Sequence, residues 1–355
     1  MIRSTLGVVA LAGLLAVGAP SAGARATTPT LAQLVGQRLI VAFSGTHADA
    51  NLLARVKAGQ VGGVILFGAN IASPAQLTAL DASLQAAAQA GGQPPLIIAT
   101  DQEGGEVKRI PWAPPGRSAK QLGALPSSQS ARAGSRTAAV LQTDGVNVDL
   151  APVADVPEGP QDFIQQQQRA FSTNRFTVAA DAGAFAGGLE GGGVWPALKH
   201  FPGLGLATVS TDQALVRINA PAVKLMKDLL PYTVAFRRGL DPIVMLSTAV
   251  YPALDWRAAA WSPPIIHGLL RGTLGFSGVT ITDSLDSAAA DRHQSINGVA
   301  LRSAQAGCDL LLITGSEAES RGVYASLLSA AASGALPMSQ LTASYSRIAA
   351  LKSHL

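Results

Sequence analysis

Leu96-Ile97-Ile98-Ala99-Thr100 runs straight into Asp101-Gln102-Glu103-Gly104-Gly105-Glu106-Val107-Lys108-Arg109. A short uncharged run without alternation fits a strand buried on both faces, the situation of a strand in a parallel sheet. The polar, glycine-rich block after it then marks the loop at the strand's C-terminal end. Working outward, seven more runs repeat the pattern: Leu39–Phe43, Val64–Phe67, Val146–Ala151, Val194–Lys199, Ile243–Ser247, Val279–Thr282 and Leu310–Thr314. Each is followed by polar or Gly-rich residues and then by a helix-like stretch.

The stretches between these runs carry helix signals. Ser73-Pro74-Ala75-Gln76 reads as a capping box with proline at the first helical position. Leu77, Leu80 and Leu84 then mark one face before Gly91-Gly92 stops the helix. Ser262-Pro263 opens another, through Ile265, Ile266, Leu269 and Leu270. Eight strand–helix alternations predict an α/β fold, a single (β/α)8 TIM-type barrel, which takes about 250 residues plus insertions. A doubly wound open sheet is the rival, but it usually stops at fewer strands. Gln165–Gln168 reads as a solvated loop, and no linker divides residues 27–355 into two domains.

The chain has 355 residues, of which 48% are hydrophobic and 14% charged, too apolar for a disordered protein. Residues 1–26 read as a secretory signal peptide. Arg3 gives the positive start, Leu6–Val17 an apolar stretch shorter than the roughly 20 residues of a membrane span, and Ala22–Ala26 a small-residue cleavage region. A secreted or periplasmic location follows, with no stable membrane span in the mature protein. Without Arg3 and Arg25 the 26 basic residues fall to 24 against 22 acidic ones, and no basic run interleaves with aromatics, so nucleic acid is not an expected partner. The single cysteine, Cys308, reads as a small buried thiol.

In a barrel, polar residues at the C-terminal strand ends line the active face. Here they are Asp101–Arg109 after the third run, Asp149 towards the end of the fourth and Asp155 after it, Lys199-His200 at the fifth and Asp283 after the seventh. Charges gathered at such a rim cost desolvation unless they are paired or used. A carboxylate such as Asp283 can attack an anomeric carbon while a second group protonates the leaving oxygen. Asp101, Lys199, His200 and Arg169 are the types that hold sugar hydroxyls. Metal hydrolysis fits less well, because the five histidines are scattered without His-x-His or His-Glu-x-x-His. Gly-x-Ser-x-Gly is also absent. No metal or other cofactor is called for.

Val61-Gly62-Gly63-Val64-Ile65-Leu66-Phe67, Asp101–Arg109, Lys199-His200-Phe201-Pro202-Gly203, and Leu274-Gly275-Phe276-Ser277-Gly278-Val279 leading to Thr282-Asp283 occur in this order. Together they resemble glycoside hydrolase family 3, in its single-domain bacterial β-N-acetylglucosaminidase branch, from Leu31 to about Lys352. The resemblance implies a barrel that cleaves β-linked amino sugars with retention, β-glucosides being the alternative substrate. It implies Asp283 as nucleophile, and Asp101, Arg109, Arg169, Lys199 and His200 as residues that bind the carbohydrate.

One stretch departs from the family. The branch continues Lys-His-Phe-Pro-Gly-His-Gly-Asp-Thr, two variable residues, then Asp-Ser-His, whose Asp and His form the acid/base dyad. This chain has Leu204, Leu206, Ser210 and Asp212 where the branch has His, Asp, and the dyad Asp and His. Three outcomes stay open: Asp212 takes over as acid/base, hydrolysis persists only for activated leaving groups, or the protein is a silent relative that binds glycan.

Overall fold

All eight apolar runs supply strands of one parallel ring in the computed structural model, which describes residues 1–2, 28–291 and 293–355. The expected leader, apart from its first two residues, lies outside the described residues. The strands are β1 (Leu39–Val41), β2 (Gly63–Leu66), β3 (Ile97–Thr100), β4 (Val148–Asp149), β5 (Trp195–Phe201), β6 (Ile243–Leu246), β7 (Thr280–Thr282) and β8 (Leu311–Ile313). They pair in the order β7-β6-β5-β4-β3-β2-β1-β8. A parallel bridge between Ile281 and Leu310 joins the two ends, with Thr282 N donating to Leu310 O at 3.0 Å and Leu310 N to Thr280 O at 2.8 Å. An open doubly wound sheet would leave two free edges; closure rules it out.

Why the runs are continuously apolar is plain from the period-two alternation of strand side chains. One set packs in the barrel lumen: Ile40, Ile65, Ile97, Ala99, Val148, Leu150, Ala197, Ile243, Met245, Ile281 and Leu312. The neighbours between them pack outward beneath the helices: Leu39, Val41, Val64, Leu66, Ile98, Leu198, Val244, Leu246, Leu311 and Ile313. Extending the same parity past the strand ends carries the argument to the site. Ile97 and Ala99 lead to Asp101, Ala197 leads to Lys199, and Val279 and Ile281 lead to Asp283.

Helices surround the ring. The helix Pro74–Ala90 starts as expected, with the Ser73 hydroxyl accepting from Gln76 N, but the Gln76 amide oxygen accepts from Ala72 N rather than from Ser73. It buries Leu77, Leu80 and Leu84. Gly91 is required by close approach, since a Cβ there would sit 1.9 Å from the Lys57 carbonyl oxygen. The segment Pro264–Thr273 buries the four expected apolar residues but winds as a π-helix. Gln165–Gln168 is not an open loop: Phe163–Gln166 forms a helical turn because Ile164 is buried against Val153 and Ala170.

The N-terminal side of the seam is held by Asp309, which is fully buried. Its carboxylate accepts from Arg271 at 2.8 Å, Arg347 at 2.7 Å, Ser344 at 2.8 Å and the Thr280 amide at 2.9 Å. Beside it Cys308 is buried, its thiol pushed up to about 12 by desolvation. Among the described residues no helix is long and apolar enough to cross a membrane.

Candidate active site

A cavity of about 520 Å³ opens at the C-terminal end of the ring. Its floor is the lumen set, Ile65, Leu150, Met245 and Leu312, and its wall includes Asp101, Arg109, Arg169, Lys199, His200, Asp212 and Asp283. All seven site candidates from the sequence therefore converge on one cavity. Lys199 and His200, although consecutive, both reach it. The ladder between β5 and β6 shifts register between Leu198 and Phe201, which interrupts strict alternation at that point.

Lys199 is buried and lies between two carboxylates, 2.8 Å from Asp101 Oδ1 and 2.6 Å from Glu103 Oε1. Arg169 grips Glu103 with two parallel bonds of 2.8 Å. Burial alone would push Glu103 up, but the Arg169 guanidinium and the Lys199 ammonium more than reverse it and hold the carboxyl at about 2. Burial would likewise lower Lys199, and Asp101 and Glu103 turn that into a rise. Arg109 sits 3.8 Å from the other oxygen of Asp101, with its guanidinium 5.7 Å over the Phe67 ring. The chain of charges leaves Asp101 at the cavity wall, paired with Lys199 and faced by Arg109.

His200 donates from or accepts at Nδ1 with Asp155 Oδ2 at 2.8 Å, while Asp155 Oδ1 accepts from the amides of His200 at 3.1 Å and Leu204 at 2.7 Å. With Nδ1 engaged by Asp155, Nε2 is the ring nitrogen left for a ligand. Asp149, on β4, is buried beneath this network; one oxygen accepts from Gln102 N at 2.9 Å and the other has no partner among the described residues. Desolvation raises its carboxyl to about 8, so it carries a proton at neutral pH.

Asp283 follows β7 directly. Its Oδ1 accepts from Ser284 N at 2.9 Å and its Oδ2 from the Thr211 hydroxyl at 3.3 Å. Burial raises its affinity for a proton, His200 and Lys199 oppose that rise, and Asp212 adds to it. Asp212 is exposed at the cavity wall and touches Ser210, whose hydroxyl lies 3.4 Å from its Oδ2 and accepts from its amide at 3.1 Å.

The sequence reading missed three members. Glu103 holds both Arg169 and Lys199, and its spacing of two from Asp101 was the available signal, because alternate residues of an extended segment share a face. Thr211 touches Asp283 from between Ser210 and Asp212, the two positions that carry the dyad in the branch. Glu106 also lines the cavity, exposed at the tip of the hairpin formed by Gln102–Gly104 and Val107–Lys108. Of the carboxylates at this end of the barrel, the Arg169 guanidinium meets Glu103 rather than Asp149 or Asp155.

The model for the glycosyl hydrolase family 3 N terminal domain matches residues 30–351. A protein of Arthroderma benhamiae, called an uncharacterized secreted glycosyl hydrolase, is 35% identical over 98% of this chain and 99% of its own length. Beta-hexosaminidase A of Pseudoalteromonas piscicida is 32% identical over 92% of this chain and 61% of its own. Among solved structures, a family 3 beta-N-acetylglucosaminidase from a Paenibacillus species superposes with a TM-score of 0.87 at 30% identity, covering 92% of this chain and 63% of that one. Beta-N-acetylhexosaminidase from Beutenbergia cavernae gives 0.85 at 32% identity, covering 92% and 99%. With the closed barrel, the carboxylate-lined mouth and these matches over almost its whole length, the chain belongs to glycosyl hydrolase family 3.

Proposed function

We propose that this protein is an exported, retaining β-N-acetylglucosaminidase acting on cell-wall glycans. The observation that carries the reading is the placement of the Asp283 carboxylate at the barrel mouth, facing the same cavity as Asp101, Lys199 and His200. Asp283 attacks the anomeric carbon and forms a glycosyl-enzyme; Asp212 protonates the departing oxygen and then takes a proton from the attacking water. Asp101, Arg109, Lys199 and His200 bind hydroxyl and acetamido groups, and Arg169 orders Glu103 behind them. The names of the β-hexosaminidase relatives support the amino-sugar specificity, and the secreted label of the Arthroderma relative supports export.

Asp283→Ala should abolish nitrophenol release from the nitrophenyl β-glycoside of N-acetylglucosamine, and a 2-fluoro glycoside should add one sugar mass to the wild type only. Unchanged turnover in the variant would remove the nucleophile assignment. A second reading, a glycan-binding protein on a silent hydrolase barrel, is favoured by Leu204 and Leu206 at positions where the branch carries His and Asp. Binding of muropeptides with neither turnover nor adduct would establish it.

A further inference from the structure

We infer that Thr211 is a positioning residue for Asp283, holding the carboxylate in its ionised form and speeding its departure from the glycosyl-enzyme. The inference rests on the proposed nucleophile role of Asp283. Thr211 is buried, and its hydroxyl has the Asp283 carboxylate, at 3.3 Å, as its one hydrogen-bond partner among the described residues. Ser284, next to Asp283, gives its backbone amide to Oδ1 but turns its hydroxyl to Thr314 Oγ1 at 2.8 Å. Among the described residues Thr211 is therefore the side-chain donor on the nucleophile.

The backbone around it sets its direction. The Ser210 carbonyl accepts from the amides of Gln213 at 3.1 Å and Ala214 at 3.2 Å, and the Ser210 hydroxyl accepts from Asp212 N. This turn places residue 211 at its apex over the cavity. A bond of 3.3 Å is long for two oxygens, and such contacts in unliganded sites commonly tighten when substrate is bound.

In the first step an electron pair of the Asp283 carboxylate forms the bond to the anomeric carbon. The pair of the glycosidic bond leaves with the aglycone oxygen, which takes the acid's proton. In the second step water attacks that carbon, the base takes its proton, and the sugar–Asp283 bond pair returns to the carboxylate. A hydroxyl donor binds a carboxylate more strongly than an ester oxygen. Thr211 therefore favours the charged resting form and the second departure.

The test compares Thr211→Val, Thr211→Ala and Thr211→Ser with the wild type. Loss of the hydroxyl should slow breakdown of the 2-fluoro glycosyl-enzyme, followed by intact mass, on the order of tenfold. It should also move the acid limb of kcat/KM to higher pH, since the charged form has lost a donor. Thr211→Ser should restore both. A structural role alone would lower thermal stability or raise KM in all three variants while leaving the acid limb in place, and that result overturns the inference. A wild type that takes no adduct removes the nucleophile assignment itself; a normal wild-type adduct whose lifetime is unchanged in Thr211→Val and Thr211→Ala removes only the role of Thr211.

Discussion

Glu103→Gln tests the charge network behind the cavity. In the native protein Glu103 is almost fully buried and bonded to both Arg169 and Lys199. Its carboxyl lies at about 2 against an ordinary value of 4.5. At about 1.4 kcal/mol for each tenfold in proton affinity, that displacement favours the charged form by roughly 3 kcal/mol. The glutamine keeps one acceptor oxygen but turns an amide donor toward two cations, so at pH 7 the variant should unfold about 3 kcal/mol more easily, in line with breaking a buried pair. The pH dependence follows from the depressed value. An unfolded glutamate near 4.5 is protonated before the native one, so the wild-type advantage is complete above about pH 5 and is lost as pH falls toward 2. Linkage gives roughly 1 kcal/mol left at pH 3. Urea unfolding followed by tryptophan fluorescence at pH 7 and pH 3 measures both differences. Equal midpoints at pH 7, or a deficit that persists undiminished at pH 3, would refute the assignment of Glu103 as the buried anion that neutralises Arg169 and Lys199.

Other outcomes follow from the same geometry. Asp212→Asn should lower hydrolysis of an unactivated β-linked oligosaccharide by about 10²–10⁴-fold while sparing the nitrophenyl glycoside in its first step, because a good leaving group needs no proton. Equal loss on both substrates in burst kinetics would count against the acid/base role. Asp149→Asn should stabilise the protein at pH 8 relative to wild type, with the gain vanishing near pH 4. The native carboxyl keeps its proton to about 8, whereas the unfolded one releases it near 3.9, so wild-type stability falls as pH rises between those values. A wild-type-minus-variant stability that is flat with pH in urea titrations would show that Asp149 is ionised in the fold.

What was legible in the chain and what was not divides along the range of the interactions. Strands such as Ile97–Thr100 and Ile243–Leu246 stand out because burial on both faces leaves an unbroken apolar signature. The rim residues Asp101, Lys199 and Asp283 stand out for the same reason: each ends such a run at lumen parity. Closure is not local, since it depends on Ile281 meeting Leu310 across 29 residues of sequence. Pairings chosen among several charges are equally hidden. Arg169 has carboxylates at 101, 103, 149 and 155 to choose from in sequence, and only the folded loops bring it onto Glu103. The π-helical winding of Pro264–Thr273 is invisible to a period-3.6 pattern, because Ile265, Ile266, Leu269 and Leu270 fit an α-helical stripe as well.

The departures from the family in Leu204–Asp212 fall into two groups with different physical consequences. Leu204 and Ala207 are almost fully buried, and Leu206 packs against the same core. The segment is further tied by Leu204 N to Asp155 Oδ1 at 2.7 Å and by Phe163 N to Ala207 O at 2.7 Å. Burial of Leu204, worth about 1.5–3 kcal/mol for a fully buried leucine, and the partial burial of Leu206 anchor the first half of the loop where polar residues would favour solvent. The second half, Ser210–Asp212, projects from that anchor onto Asp283. An anchored loop would hold a proton donor at its apex without the ordering entropy that an acid on a mobile loop loses at each turnover. By this reasoning the leucines at 204 and 206 are compatible with the proposed catalysis, in which Asp212 is the acid/base and the Thr211 hydroxyl beside it positions Asp283.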